Sequence, residues 1–260
     1  MRIVLGRITA CWLTGAALTI SAQAVAGAPT WRYRIVAEHP HDPNAFTEGL
    51  LIVDRKLVES TGRYGESKLI VRELKSGRVL NEVSLGLSEF GEGVAAAANR
   101  YYQLTWRGGR GYIYDQVLQR IDEFSYFTEG WGLTYDGRSL IQSDGSATLT
   151  FRSPDDFSER RRILVHDGVR TISQLNELEY VDGLIYANVW LTDQIAVIDA
   201  ADGHVTAWLD LSGLKKRFKK PVNWNATDNV LNGIAYDAAS GHFWLTGKCW
   251  PYLYEVRLDR

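Results

Sequence analysis

Two glutamates recur in matching surroundings, Phe46-Thr47-Glu48-Gly49-Leu50 and Phe90-Gly91-Glu92-Gly93-Val94. Carboxylates brought together in an apolar wall have separated pKa values, one of them raised enough to carry a proton near neutrality. That arrangement suits general acid/base work. Lys248 ends an apolar run, Phe243-Trp244-Leu245-Thr246-Gly247, where a core explanation is poor because burying lysine is costly. Trp106, Trp131 and Trp190 could supply walls, and Asn176 and Asn232 amide donors and acceptors. Apolar walls with a few convergent polar groups are what a small-ligand cavity requires.

These residues need a frame that brings them together. The segments starting near Phe46, Phe90, Glu129, Leu175 and Leu231 share one shape, a polar or aromatic residue, usually then glycine, then a short apolar strand. They are spaced by roughly 40 to 55 residues, a propeller-blade period. Within each repeat a second strand follows (Lys56-Leu57-Val58, Leu184-Ile185-Tyr186), then a third (Ile195-Ala196-Val197-Ile198), a polar turn (Lys75-Ser76-Gly77, Ala201-Asp202-Gly203) and a fourth. Short strands, Gly/Asp turns and no sustained helical period predict an all-β fold, a five-bladed β-propeller of four-stranded antiparallel blades. The last repeat has three strands, so the N-terminal segment from Trp31 to Ala37 should supply its fourth and close the ring. A β-sandwich with decorated loops has no reason to repeat five times. With Gly49, Gly93, Gly132, Glu177 and Gly233 equivalent, the preceding residues Glu48, Glu92, Trp131, Asn176 and Asn232 face one axial cavity. The ends of the second strands add Trp106, Asp144, Trp190 and Lys248 at related places, although Asp144-Gly145 and Asp202-Gly203 also read as turns.

The chain has 260 residues, 45% hydrophobic and 23% charged, which excludes disorder. Its 29 Lys plus Arg against 31 Asp plus Glu argue against a nucleic-acid protein. The one basic run, Lys215 to Lys220, reads as a solvated loop or short helix, or else as a rim receiving acidic peptides. Arg2 and Arg7, the apolar stretch Ile8 to Ile20 and small residues up to Ala26 read as a signal peptide over 1–24, with cleavage near 24–28. A lipoprotein box at Ile8-Thr9-Ala10-Cys11 is poorly supported, because Arg7 shortens the apolar run before it. Residues 25–260 then form a single catalytic domain, exported to the periplasm or secreted, with no membrane contact after cleavage. Cleavage leaves Cys249 as the only thiol, expected to pack as a small hydrophobe, so stability must come from the core.

Nine segments taken in order, Phe-Thr-Glu-Gly-Leu at 46–50, Phe-Gly-Glu-Gly at 90–93, Leu-Thr-Trp at 104–106, Gly-Trp-Gly-Leu at 130–133, Ser-Asp-Gly-Ser at 143–146, Leu-Asn-Glu-Leu-Glu at 175–179, Ala-Asn-Val-Trp at 187–190, Leu-Asn-Gly-Ile-Ala at 231–235 and Leu-Thr-Gly-Lys at 245–248, resemble the plant and bacterial glutaminyl-peptide cyclotransferases. The resemblance runs from about residue 31 to the end. It implies an enzyme that cyclises N-terminal glutamine to pyroglutamate with loss of ammonia. It also implies a five-bladed propeller with no cofactor and no metal. The five histidines, His39, His41, His166, His204 and His242, accordingly read as scattered over turns.

By the same resemblance Glu92 corresponds to the central acid/base carboxylate. Phe46, Phe90, Trp106, Trp131 and Trp190 correspond to the aromatic pocket, and Asn176 and Lys248 to its polar contributors. Glu48 stands where plant members resemble Phe-Thr-Gln-Gly-Leu, so a second carboxylate marks the bacterial pattern and leaves its role open. The expected catalytic set is Glu92, Glu48 and Lys248; the expected partners are peptides or proteins with N-terminal glutamine, processed by a monomer. Three structural readings stand beside this one. Glu48 or Glu92 could bind backbone at a crowded centre, the tryptophans could be inter-sheet core, and Asn176 and Asn232 could cap turns. A non-catalytic exported propeller binding peptide or sugar would keep the aromatic cavity but need no proton-carrying carboxylate.

Overall fold

The computed structural model describes residues 27–222 and 224–259. The signal peptide expected over 1–24 lies outside them. Strand β1 (Thr30–Pro40) precedes three four-stranded antiparallel sheets. The first holds β2 (Thr47–Val53), β3 (Lys56–Thr61), β4 (Lys68–Glu73) and β5 (Val79–Ser84). The second holds β6 (Gly91–Ala97), β7 (Arg100–Thr105), β8 (Arg110–Tyr114) and β9 (Arg120–Ser125). The third holds β10 (Leu133–Tyr135), β11 (Leu140–Gln142), β12 (Thr148–Arg152) and β13 (Glu159–Leu164). The remaining strands are β14 (Leu175–Val181), β15 (Leu184–Val189), β16 (Gln194–Asp199), β17 (Val205–Asp210), β18 (Leu231–Asp237), β19 (His242–Gly247) and β20 (Tyr252–Asp259). Together with β1 they make an eight-stranded sheet in the order β14-β15-β16-β17-β1-β20-β19-β18.

That sheet is uneven. β1 pairs antiparallel with β20 from Arg32↔Asp259 to Pro40↔Tyr252, but parallel with β17 only at Thr30↔Trp208 and Trp31↔Leu209. The closing segment therefore begins one residue before Trp31 and runs three past Ala37, pairing with the last strand as expected. The fold is all-β and propeller-like.

Burial follows position in each sheet. The first strands are nearly all buried, as in Thr47–Val53 and Gly91–Ala97, while the last strands β5, β9 and β13 are largely exposed. The first strands also touch one another in a cycle, β2 to β6 to β10 to β14 to β18 and back to β2. Where they meet, backbones come too close for side chains: a Cβ on Gly93 would sit 2.5 Å from the Leu133 nitrogen and 2.6 Å from the Trp131 carbonyl. Gly93 N–H donates instead to that carbonyl at 2.6 Å. At the equivalent place in the fourth repeat stands Glu177, whose carboxylate accepts Leu50 N–H at 3.2 Å and Ile234 N–H at 2.8 Å.

One expectation is corrected. The histidines are not confined to turns: His39 lies in β1 and His242 in β19, both bound to the Glu255 carboxylate at 3.0 and 2.7 Å. The basic run, expected as a solvated loop or short helix, begins in a single turn of 3-10 helix, Leu214–Lys216, and is partly neutralised by Lys215–Asp193 and Arg217–Glu38 pairs. The His39–Glu255 and Arg217–Glu38 pairs join residues far apart in the chain, which local sequence does not announce.

Candidate active site

The ladder between the first and second strands slips at the same place in four repeats. Pairing is irregular between Thr47 and Gly49, Gly91 and Val94, Leu175 and Leu178, and Leu231 and Ile234. The residues inside those slips include Glu48, Glu92, Asn176 and Asn232. A bulge breaks the two-residue alternation and re-aims a side chain, so these groups turn toward the axis instead of into a sheet interface.

They meet at the floor of a cavity of about 340 Å³. All nine sequence-predicted site residues line it: Glu48, Glu92, Lys248 and Asn176, which are buried, and the half-buried Phe46, Phe90, Trp106, Trp131 and Trp190. The aromatic rings form an arc of two sets, bridged by Glu129. Phe46 meets Phe90 edge-on at 6.1 Å, Phe90 meets Trp106 at 5.5 Å, and Trp131 meets Trp190 edge-on at 5.6 Å. Gly145, with φ of 80°, lets the Trp131 ring lie against its backbone; a Cβ there would be 2.7 Å from the ring. Asp144 is elsewhere: it caps its own turn through Ser146 N–H at 3.0 Å and does not line the cavity, because the turn points it to solvent.

The floor is electrostatically coupled. Lys248 Nζ donates to Glu48 Oε1 at 2.6 Å, and Asn232 Nδ2 donates to Glu48 Oε2 at 3.2 Å. Burial pushes the Glu48 carboxyl up, and the Lys248 ammonium opposes that rise. Glu92 is hydrogen-bonded to Glu48. Burial first, and the Glu48 charge second, push Glu92 well above the ordinary carboxylate range. Both effects favour the protonated form of Glu92. Neither carboxylate takes the backbone-binding role weighed above; Glu177 fills it. The amide Oδ1 of Asn176 has no hydrogen-bond partner although it is buried, which leaves an acceptor at the cavity wall.

Sequence reasoning missed four contributors. Glu129 joins the two central indoles: its Oε2 accepts Trp106 Nε1 at 2.8 Å and Trp131 Nε1 at 3.0 Å, and its Oε1 accepts Arg107 Nε at 2.9 Å. Burial raises its pKa, but the donors Trp131, Arg107 and Trp106 outweigh that and hold it below the ordinary value. Its signal was present, since Glu129-Gly130 is a third Glu-Gly pair after 48–49 and 92–93. Arg63 lines the mouth, as do Thr227 and Asp228 from the long connection before β18. No repeat position marks those. Among the described residues, no group of three His, Cys, Asp or Glu side chains is placed to hold a metal ion.

A propeller-like frame with an axial acid pair walled by aromatic rings has the form of a small-substrate cavity. The description of the glutamine cyclotransferase family matches residues 8–258. The chain is 38% identical over 229 residues to a glutaminyl-peptide cyclotransferase of Arabidopsis thaliana, covering 87% of this chain and 71% of that relative. Its structure is similar to the crystal structure of Myxococcus xanthus glutaminyl cyclase, with a TM-score of 0.81, 37% identity, and coverage of 89% of this chain and 98% of that one. The chain belongs to the glutamine cyclotransferase family.

Proposed function

We propose that the protein is a glutaminyl-peptide cyclotransferase, converting N-terminal glutamine of peptides to pyroglutamate with release of ammonia. The observation that carries the mechanism is the pairing of the Glu92 and Glu48 carboxyls, with Lys248 at 2.6 Å from Glu48, at the floor of an aromatic cavity. The substrate's α-amino nitrogen attacks its own γ-carboxamide carbon, the C–N bond of the ring forms, and the carbonyl oxygen becomes an oxyanion. The amine's proton passes to Glu48, and Glu92 delivers its proton to the departing amide nitrogen, which leaves as ammonia. The proton then redistributes within the pair, so the enzyme ends as it began. Lys248, already bound to Glu48, favours the ionised form of that carboxylate against its burial. The unpartnered Asn176 oxygen can accept a hydrogen bond from the substrate's amine or amide N–H. The arc of rings folds the glutamine side chain toward its attack geometry and keeps out water, which would otherwise yield glutamate.

In the same reading the eight-stranded sheet divides at its two-residue parallel seam into two blades of four strands. With the three separate sheets this makes a five-bladed propeller closed by β1. The protein would be exported to the periplasm or secreted behind its N-terminal signal and would work as a monomer, the inference resting on sequence features alone. Incubating the purified protein with a Gln dipeptide should release equimolar ammonia and pyroglutamyl product. Product without ammonia, or glutamyl peptide as the main product, would overturn the assignment.

A further inference from the structure

Arg63 stands at the cavity mouth beside Phe46. Its backbone lies in the left-handed region, φ 87°, which disfavours side chains. The conformation is pinned: its carbonyl accepts Glu66 N–H at 3.1 Å and Ser67 Oγ–H at 2.7 Å, and Ser67 Oγ in turn accepts Gly91 N–H at 2.9 Å. A strained, fixed turn therefore aims this guanidinium.

The Phe46 ring carries two cations, Lys248 Nζ at 4.8 Å and the Arg63 guanidinium at 4.7 Å from its centroid. Lys248 is neutralised by Glu48 at 2.6 Å. Arg63 is not matched in that way. Its ion pair is with the exposed Glu66 at 3.9 Å, and its other contact is the Cys249 sulfur at 3.5 Å. Burial pushes that thiol up, so it stays neutral. Arg107, whose guanidinium lies over the Trp106 ring, is held by Glu129 at 2.9 Å. Asp228 across the rim is engaged by Asn225 Nδ2 at 2.7 Å. Arg63 thus keeps donors and charge to offer to whatever enters.

We propose that Arg63 binds a carboxylate on the residue that follows the N-terminal glutamine, so that the enzyme favours peptides acidic just beyond the reacting residue. This rests on the cyclotransferase reading. With the glutamine turned toward Glu48 and Glu92, the chain must leave through the mouth, advancing about 3.4 Å per residue. The second residue then lies level with Phe46 and Arg63. A guanidinium reads a carboxylate through paired N–H donors, and a side-chain carboxylate or the free carboxyl end of a dipeptide offers the same chemistry.

Three substrates separate the cases: Gln-Glu amide, Gln-Ala with a free carboxyl end, and Gln-Ala amide as the neutral reference. One or both carboxylate substrates should exceed the reference by about fivefold in kcat/KM, mainly through KM. Which one does so identifies the source of the carboxylate. Arg63→Gln should bring that ratio close to one, and Arg63→Lys should leave it intermediate. Added salt should shrink the ratio in the unaltered enzyme. Equal rates on all three substrates before mutation, or a preference that survives Arg63→Gln, would overturn the proposal. So would an equal loss on all three in Arg63→Gln, which would assign Arg63 to packing against Phe46. No turnover of even the neutral amide by the unaltered enzyme would instead overturn the parent reading.

Discussion

Glu92 and Glu59 are both buried carboxylates, yet their surroundings drive them in opposite directions. Glu59 accepts His41 Nε2 at 2.9 Å, Thr47 Oγ1 at 2.8 Å and Arg72 Nε at 3.1 Å. Burial pushes its pKa up, but the His41 and Arg72 charges and these donors outweigh it and bring it down to about 2. Glu92 is equally enclosed, but its neighbour is another carboxylate, and it is pushed well up. Burial alone does not decide; the sign of the nearest charge does. The first arrangement locks structure. The second keeps a proton available for chemistry. They lie close in the chain's own terms, since Thr47, which donates to Glu59, precedes Glu48, which receives the bond from Lys248.

The sharpest break in this contrast should come from Glu92→Gln. It preserves shape while removing the proton, and kcat should fall by about two to four powers of ten. Thermal stability should hardly change, because the native residue is already uncharged. Steady-state kinetics with a parallel melt would check both halves, and near-normal turnover would return Glu92 to a structural role.

Glu59→Gln should do the reverse. Leaving His41 and Arg72 buried without their carboxylate should cost about 3–5 kcal/mol of stability, read by denaturant titration, with turnover per folded molecule largely kept. A loss of turnover without loss of stability would erase the distinction between the two sites.

A smaller effect is expected from Glu129→Ala, which removes the acceptor shared by the Trp106 and Trp131 indoles. Two hydrogen bonds of about 1 kcal/mol each suggest a drop of about thirtyfold in kcat/KM. Glu129→Gln, which keeps an acceptor oxygen, should recover most of it.

The smallest effect is one of pH. Glu59, depressed to about 2, contributes stability that is present above its unfolded pKa near 4.5 and is lost as pH falls toward 2. Glu179, raised to about 8 by burial, behaves oppositely: its contribution is present below about 4.5 and is lost as pH rises through 8. Glu179→Gln should therefore flatten the decline in melting temperature between pH 5 and 8 while leaving the acid side unchanged. An unaltered alkaline slope in that variant would show that other groups set it.

The sequence made the inner ring legible because a Gly-rich repeat marks where backbones crowd. Glu48, Glu92, Trp131 and Asn176 were found by their offset from Gly49, Gly93, Gly132 and Glu177. What alternation alone could not say is why neighbours such as Asn176 and Glu177 serve different partners; the ladder slip between Leu175 and Leu178 supplies the reason. Glu177 was read only as a repeat position, whereas it satisfies the backbone of two other strands. Arg63 and Asp228 were illegible because loops place them, and loops carry no period. Asp144 misled because its turn follows the second strand at the same distance as Trp106 and Lys248 follow theirs, but ends in its own cap.

The pairing of β1 with β20 also sets an order of events. The first strand of the described chain has no antiparallel partner until residues 252–259 exist, so a ribosome must have passed them before the circle can shut. Contacts this distant in sequence slow folding. Until then the edges of β1 and β19 are open templates for other strands. A nascent chain stopped before Tyr252 would carry nearly every active-site residue and still be a candidate for aggregation or proteolysis.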